Sequence, residues 1–179
     1  MSDVRLRKLR ESDIGPLADV REHEDGGMAF PGGFDDDQRA LLHERVAHSG
    51  DFHLGEYLLA IEAGGRLVGE IQARSAPHAM PPGVFELGVA LFDETDRRRG
   101  IGTKAIGLMT QRLFADGEAH RVQATTDLDN AAMRGSLERL GFKMEGVLRG
   151  FMPANDGPRD YAMYALTEGD YREVRKTWI

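Results

Sequence analysis

The sequence contains no cysteine among its 179 residues. The chain therefore has no disulfide bond, no thiol nucleophile and no cysteine ligand for a metal ion. No other motif in the sequence indicates a metal, so we expect no metal cofactor. A chain without cysteine fits a reducing compartment, and the cytoplasm is the expected location.

Nothing in the sequence resembles a signal peptide, and no long hydrophobic run is present. A secretory signal has an apolar core behind a short basic segment, whereas this N-terminus carries charges at Asp3, Arg5, Arg7, Lys8 and Arg10. No stretch approaches the roughly 20 apolar residues that a membrane-spanning helix needs. We therefore expect no membrane partner.

An excess of positive charge is missing as well. The formal net charge is −7, from 23 Lys and Arg against 30 Asp and Glu. Because a nucleic-acid-binding protein needs a basic face for phosphates, this balance argues against such a partner and weakly favours a cationic ligand. The composition, 41% hydrophobic and 30% charged, is that of an ordinary soluble globular protein. We expect a single domain over residues 1–179.

Hydrophobic periodicity predicts alternating groups of strands and helices. Strands are predicted at residues 4–9, 57–63, 66–73, 84–92, 121–126, 142–151 and 160–166. Helices are predicted after the capping residues 11–13 and 35–37, at 103–114 and 130–140, and in the tail 168–179. Gly64-Gly65 is a strong hairpin signal between the second and third strands. Since no repeat or linker divides the chain, we expect one mixed sheet in an α+β fold.

A glycine-rich basic loop follows the fourth predicted strand. Its sequence is Arg97-Arg98-Arg99-Gly100-Ile101-Gly102-Thr103, and a predicted helix begins at its end. The first amides of a helix have no internal partner and attract anions, and glycines let a ligand approach the backbone. Arginine adds fork-shaped donors for phosphate oxygens. The loop therefore predicts an anion site, although a solvated basic turn would have the same composition.

Two nucleotide-binding motifs are poor matches to this loop. Residues 100–105 fit the loose dinucleotide pattern G-x-G-x-x-A. In a dinucleotide fold, however, the first glycine directly follows a strand, whereas residues 93–99 intervene here. The chain contains no G-x-x-x-x-G-K-[ST], so it has no P-loop.

The spacing of Arg97, Gly100 and Gly102 resembles the acyl-CoA loop of the GNAT-type N-acetyltransferases: Arg or Gln, two residues, Gly, one residue, then Gly or Ala. Further motifs are similar to the branch with the ribosomal-protein and polyamine acetyltransferases: residues 5–9, Glu86-Leu87-Gly88, Asn130, Leu140-Gly141-Phe142, residues 145–149 and residues 160–166. The resemblance covers nearly the whole chain. It implies a GNAT-like acyl-CoA N-acyltransferase fold, with a mixed central sheet flanked by helices.

The resemblance also implies a cosubstrate and its binding residues. Acetyl-CoA would donate its acetyl group to a primary amine. Arg97, Arg98, Arg99, Gly100, Ile101, Gly102 and Thr103 would hold the pyrophosphate. The strand around Val89, Ala90 and Leu91 would separate from its neighbour, pair with the pantetheine amides and supply a backbone N–H for the oxyanion. Asn130 would bond the pantetheine arm, and capping of the following helix is a second role open to it.

Glu86 is the best candidate for the catalytic base. An amine with a pKa near ~10 is mostly protonated at neutral pH, so attack needs a base or an amine that is already deprotonated. In this branch a glutamate at the place of Glu86 often has that role, directly or through water. The alternative is a glutamate on the exposed face of a half-buried strand. Glu70, Asp160 and His53 are weaker candidates.

The sequence departs from the family at the usual proton donors. Many members have Ser three residues, or Tyr seven residues, after the asparagine, where this chain has Met133 and Leu137. Ser136 lies nearby in sequence, about one helical turn from Met133, and we expect it to face elsewhere. Tyr161 and Tyr164 remain candidates, with core or sheet positions as the alternative. A CoA-binding regulatory domain without turnover is therefore a second hypothesis.

The acceptor is not encoded in a motif. We expect its specificity to lie in the irregular segments 22–34, 75–83 and 153–158. Acidic residues cluster in and after the first of them, at Glu22, Glu24, Asp25, Asp35, Asp36 and Asp37. This charge predicts a cationic acceptor, such as a peptide N-terminus, a polyamine or an aminoglycoside-like amine. Homodimers are common in the family, so a homodimer is a further expectation.

Overall fold

The computed structural model describes residues 3–23, 35–75, 80–154 and 156–178. Its strands are β1 (Val4–Arg7), β2 (Phe52–His53), β3 (Glu56–Ala63), β4 (Arg66–Arg74), β5 (Val84–Leu91), β6 (Arg121–Asp127), β7 (Lys143–Met152) and β8 (Arg159–Thr167). Its helices are α1 (Ile14–His23), α2 (Asp36–Ala47), α3 (Ile101–Ala115), α4 (Ala131–Arg139) and α5 (Glu168–Val174). All the predicted strands are present within a few residues of their expected ends. The two-residue β2 was not predicted, because it is too short for a periodic signal.

The strands form one mixed sheet in the order β1-β3-β4-β5-β6-β8-β7, with β2 paired to β3. The β3–β4 hairpin turns at Gly64 and Gly65, whose φ angles of 58° and 78° lie in the left-handed region that favours glycine. The neighbours β5 and β6 run parallel, whereas the other described pairs are antiparallel. The predicted α+β fold with a single mixed sheet is confirmed.

Helices cover the sheet on two faces. The larger core packs α3 against alternate strand residues such as Ile71, Leu87 and Val122, all at most 3% exposed. The smaller core packs α1 and α2 against β3 on the opposite face, with Leu17 and Leu58 at its centre. These two faces, called here the α3 face and the α1/α2 face, each receive every second residue of β4 and β5.

Local capping signals set the ends of several helices. The carboxylate of Asp35 accepts a 2.9 Å hydrogen bond from the N–H of Gln38, so Asp35 is the N-cap of α2. Helix α3 begins at Ile101, two residues earlier than predicted, because Gly100 adopts a left-handed conformation and serves as its N-cap. Of the segments expected to bind the acceptor, residues 24–34, 76–79 and 155 lie outside the described residues. None of the helices in the described ranges is long and apolar enough to cross a membrane.

Helix α5 begins with a capping box that includes an ion pair to β7. The Oγ1 of Thr167 accepts from the N–H of Asp170 at 3.3 Å, and the Asp170 carboxylate accepts from the N–H of Thr167 at 3.2 Å. Lys143 also donates to this carboxylate. Lys143, followed by Thr167, lowers the pKa of Asp170 from 3.8 to about 2.

We expect Asp170→Asn to lower the free energy of unfolding by about 1 kcal/mol at neutral pH. A depressed pKa contributes stability that is complete above 3.8 and is lost as the pH falls towards about 2. The difference between native protein and variant should therefore shrink in acid, as measured by urea unfolding at a series of pH values. Asp156→Asn, at an exposed ion pair with Arg159, is the control with little effect. A difference that is constant with pH would contradict the assignment.

Candidate functional site

Strands β5 and β6 separate after three paired positions. The paired residues are Val84 with Arg121, Phe85 with Val122 and Glu86 with Gln123. Beyond Glu86, β5 continues to Leu91 and β6 continues to Asp127 without further pairing between the two strands. The sheet therefore opens into a gap above Glu86, as the family resemblance implies.

Two residues of β5 present backbone groups to this gap. The N–H of Phe92 donates to the carbonyl oxygen of Val68, 3.1 Å away across the β4 side. Successive residues of an antiparallel strand point their N–H and C=O groups to opposite sides. Val89 and Leu91 therefore face the gap, whereas Ala90, the third residue predicted here, faces β4.

Gly69 on β4 makes room for this part of β5. A Cβ at position 69 would lie 2.2 Å from the carbonyl oxygen of Ala90 and 3.0 Å from a side-chain carbon of Leu91. The nearer atom belongs to the backbone, so it cannot move away without a shift of β5.

We expect Gly69→Ala to lower the free energy of unfolding by about 1–3 kcal/mol and to displace the end of β5. Urea unfolding measures the stability. Gly135→Ala in α4, where a Cβ would meet nothing within 4 Å, is the matched control and should be neutral or stabilising. Equal stability of the native protein and Gly69→Ala would contradict this reading of the β4–β5 contact.

The glycine-rich loop lies at the start of α3, on the α3 face. Gly100 has φ 77°, and Arg98 also lies in the left-handed region with φ 60°. The first helical hydrogen bond runs from the N–H of Lys104 to the carbonyl of Gly100 at 3.0 Å. None of the amides at residues 98–103 has an acceptor among the described residues. A Cβ on Gly100 would meet nothing within 4 Å, so the space beside this glycine is open. The loop has the unpaired donors and the access that an anion site requires.

The three arginines of the loop differ in their surroundings. Arg97 donates to Glu94 at 3.3 Å, and Arg99 donates to Asp96 at the same distance. Asp96 is 2% exposed, so it anchors the loop from inside. Arg98 is exposed and has no partner in the part of the chain that the structure describes. Arg98 is therefore the cation of the loop most readily available to a phosphate.

Hydroxyl groups join the start of α3 to the middle of α4. Thr103 donates to the Oγ of Ser136 at 2.8 Å, and Ser136 donates to the carbonyl of Ala132 at 2.9 Å. Ser136 thus points towards α3 and its proton is engaged. Asn130 accepts from the N–H of Met133 at 3.0 Å, so it is the N-cap of α4. Its exposed Nδ2 has no acceptor among the described residues.

The positions of the usual proton donors are apolar and packed. Leu137 is fully buried, and Met133 packs against the larger core. Tyr164 is also fully buried and donates to Glu138 at 2.7 Å, so it is a core residue. Tyr161 is partly exposed on β8, and its ring centroid lies 5.7 Å from that of Phe151.

Glu86 lies at the point where β5 and β6 separate, on the α1/α2 face. Its neighbours Phe85 and Leu87 are buried on the α3 face. One carboxylate oxygen accepts from Arg74 at 3.0 Å and the other accepts from Gln123 at 3.2 Å. The side chain is 19% exposed. Two hydrogen bonds thus fix the orientation of the Glu86 carboxylate, which remains partly accessible to solvent.

The three weaker candidates for the base have structural partners. Glu70 is 7% exposed and accepts from Arg21 with both oxygens at 3.1 Å. Asp160 accepts from the N–H of Gly150 at 2.7 Å. His53 contacts Glu44 at 3.0 Å, and its ring is stacked on another histidine ring at a centroid distance of 3.6 Å.

A polar network beside the gap was not predicted from the sequence. Arg45 on α2 donates to Glu56 at 2.9 and 3.1 Å and to Gln72 at 2.9 Å. Burial by itself lowers the pKa of the Arg45 guanidinium group. The hydrogen bond to Glu56 and the negative charges of Glu70 and Glu56 together have a larger effect in the opposite direction, so the pKa is raised. The available signal was the alternation of Glu70, Gln72 and Arg74 with small or apolar residues along β4.

The open strand pair, the unpaired amides at α3 and the carboxylate on the other face are the features that the resemblance to acyl-CoA transferases leads us to expect. The chain belongs to the GNAT acetyltransferase family, because the family model described as "Acetyltransferase (GNAT) domain" matches residues 3–143. No curated protein sequence matches the chain at a significant level.

Solved structures support the fold. RimJ of Mycobacterium smegmatis, in complex with CoA-disulfide, superposes with a TM-score of 0.75 at 21% identity, over 98% of this chain and 87% of that chain. A chimera of the spermidine N-acetyltransferase SpeG from Vibrio cholerae and hSSAT gives 0.76 at 17% identity, over 96% and 99%. The aminoglycoside acetyltransferase AAC(6')-Ib in complex with coenzyme A gives 0.71 at 19% identity, over 97% and 99%. At these identities the likeness concerns the fold.

Proposed function

We propose that this chain transfers the acetyl group of acetyl-CoA directly to a primary amine. The observation that carries the proposal is the gap between β5 and β6. It passes through the sheet from the α3 face, where the loop amides lie unpaired, to the α1/α2 face, where Glu86 lies. A donor held on one face and an acceptor on the other can meet in this gap without a covalent enzyme intermediate.

The residues around the gap fit acetyl-CoA. The unpaired amides of residues 98–103 and the side chain of Arg98 would hold the pyrophosphate. Val89 and Leu91 would pair with the pantetheine amides, since their backbone groups face the gap. Nδ2 of Asn130, which capping of α4 leaves unused, is an additional donor for the pantetheine arm.

Glu86 would accept the proton of the attacking amine, directly or through a water molecule. The amine nitrogen then bonds to the acetyl carbon, and a backbone N–H of Val89 or Leu91 stabilises the negative oxygen that develops. The bond from carbon to sulfur breaks, and the CoA sulfur leaves as a thiolate or takes a proton from water. This last step is proposed because Met133 and Leu137 have no proton to donate.

The same two residues favour the second candidate function, a CoA-binding domain that regulates and does not catalyse. Leu137 is apolar and fully buried, so its position provides no proton donor for the leaving CoA sulfur. This candidate shares the binding residues with the first and differs only in turnover.

A thiol-release assay with acetyl-CoA separates the two candidates. The acceptor panel contains a short peptide, a polyamine, an aminoglycoside and neutral amines, and calorimetry measures the binding of CoA, NAD and ATP. We expect CoA to bind and a cationic amine to be acetylated, in line with the exposed acidic residues Asp36 and Asp37 at the start of α2. CoA binding without turnover would favour the regulatory domain. No CoA binding would overturn both candidates.

A further inference from the structure

The side-chain amide of Gln72 has a defined orientation. Gln72 lies on the α1/α2 face of β4 and is 7% exposed. Its Oε1 accepts a hydrogen bond of 2.9 Å from the guanidinium group of Arg45. A guanidinium group can only donate, so the atom that faces Arg45 is the oxygen. The NH2 group of Gln72 therefore points away from α2.

This NH2 group lies over Gly88, in the part of β5 that has left β6. Gln72 and Gly88 are cross-strand partners, and a Cβ on Gly88 would lie 2.8 Å from Nε2 of Gln72. Nε2 has no acceptor among the described residues, and it is not one of their fully buried, unpartnered side-chain atoms, of which Nη1 of Arg21 is an example. The glycine thus leaves space for an oriented donor that a ligand can reach.

The donor is adjacent to the proposed base. Glu86 and Gly88 are two residues apart on one strand, so they share a face at a spacing of about 7 Å. Gln72 and Arg74 have the same relation on β4, and Arg74 holds the Glu86 carboxylate. A proton acceptor and a hydrogen-bond donor therefore lie side by side at the mouth of the gap.

We propose that Gln72 is a specificity-determining residue, and that it donates a hydrogen bond to a carbonyl oxygen next to the acceptor amine. The inference rests on the proposed acetyl transfer with Glu86 as base. An α-amino acyl group, as in a peptide N-terminus or an amino-acid amide, has its nitrogen and carbonyl oxygen on adjacent carbons and can contact both side chains at once. A polyamine has no oxygen for this donor, which is then left unpaired.

Matched acceptor pairs test the proposal. Phenylalanine amide is compared with 2-phenylethylamine, and leucine amide with 3-methylbutylamine, so that each pair differs by one carboxamide group. The kcat/KM ratio within each pair is measured by thiol release for the native protein, Gln72→Leu and Gln72→Glu. The two amines of a pair differ in basicity by the same amount for every protein, so this difference cancels when the ratios of two proteins are compared. A loss of folded protein lowers both kcat/KM values equally and therefore leaves the ratio unchanged. Gln72→Glu keeps an oxygen for Arg45 and replaces the donor with a carboxylate, whereas Gln72→Leu removes the donor without adding a charge.

We expect the native protein to prefer the carboxamide of each pair and the ratio to fall roughly five- to tenfold in both variants. Gln111→Leu, at an exposed position of α3, is the control and should keep the native ratio. If the native protein acetylates amines but both Gln72 variants keep its ratio, the role of Gln72 is overturned and the proposed function stands. If the native protein acetylates no amine, the proposed function fails and this inference fails with it.

Discussion

Glu86→Gln should lower kcat by about 10²–10³-fold, because the variant has no group at the mouth of the gap that accepts the proton of the amine. The amide is close in size to the carboxylate, and its oxygen can still accept from Arg74. We therefore expect the dissociation constant of acetyl-CoA to stay near its native value. A lower kcat with unchanged binding of acetyl-CoA would show that Glu86 acts in the chemical step and is not needed only to maintain the structure around the gap.

Stopped or continuous thiol release with the best acceptor measures kcat, and calorimetry measures the binding of CoA. Glu145→Gln is a matched control, since Glu145 is also a strand carboxylate paired with an arginine, Arg121, but lies on β7. It should retain nearly full activity. A loss of less than about threefold in Glu86→Gln would show that the amine arrives deprotonated or that another group accepts its proton.

Gly102→Glu should weaken the binding of CoA by about 100-fold or more, because it puts a carboxylate beside the amides proposed to hold the pyrophosphate. The same change should not harm the fold. A Cβ at position 102 would have its nearest contact at 3.9 Å, with Leu91. An acidic residue in the first turn also interacts favourably with the helix dipole and contributes about 0.3–1 kcal/mol. Binding and stability are thus expected to change in opposite directions.

Gly15→Glu is the matched control for this variant. Gly15 is the second residue of α1, as Gly102 is the second residue of α3, and a Cβ there would meet nothing within 4 Å. We expect Gly15→Glu to bind CoA like the native protein in calorimetry. Native-like affinity in Gly102→Glu would place the phosphates elsewhere, and the anion site at α3 would have to be abandoned.

The sequence alone was sufficient for those features that depend on a few neighbouring residues. Gly64-Gly65 determined the hairpin, and Asp35 and Asn130 determined the starts of two helices. The glycine-rich segment that contains Gly100 marked the loop before α3. Turn and cap conformations follow from φ, ψ and hydrogen bonds within one turn of the chain, so a local pattern is enough to predict them.

Only the tertiary structure decided which distant residues meet at the gap. The register of β4 against β5 brings Arg74 to Glu86 and Gln72 to Gly88, and the docking of α2 brings Arg45 to Gln72. The alternation of polar and apolar residues fixes the face of each strand side chain. A shift of two residues would keep these faces and change every cross-strand partner, so no local pattern specifies the pairs. Glu86 could therefore be proposed as the base from sequence, whereas the partners of its carboxylate and the amide group of Gln72 beside it required the packing of the whole sheet.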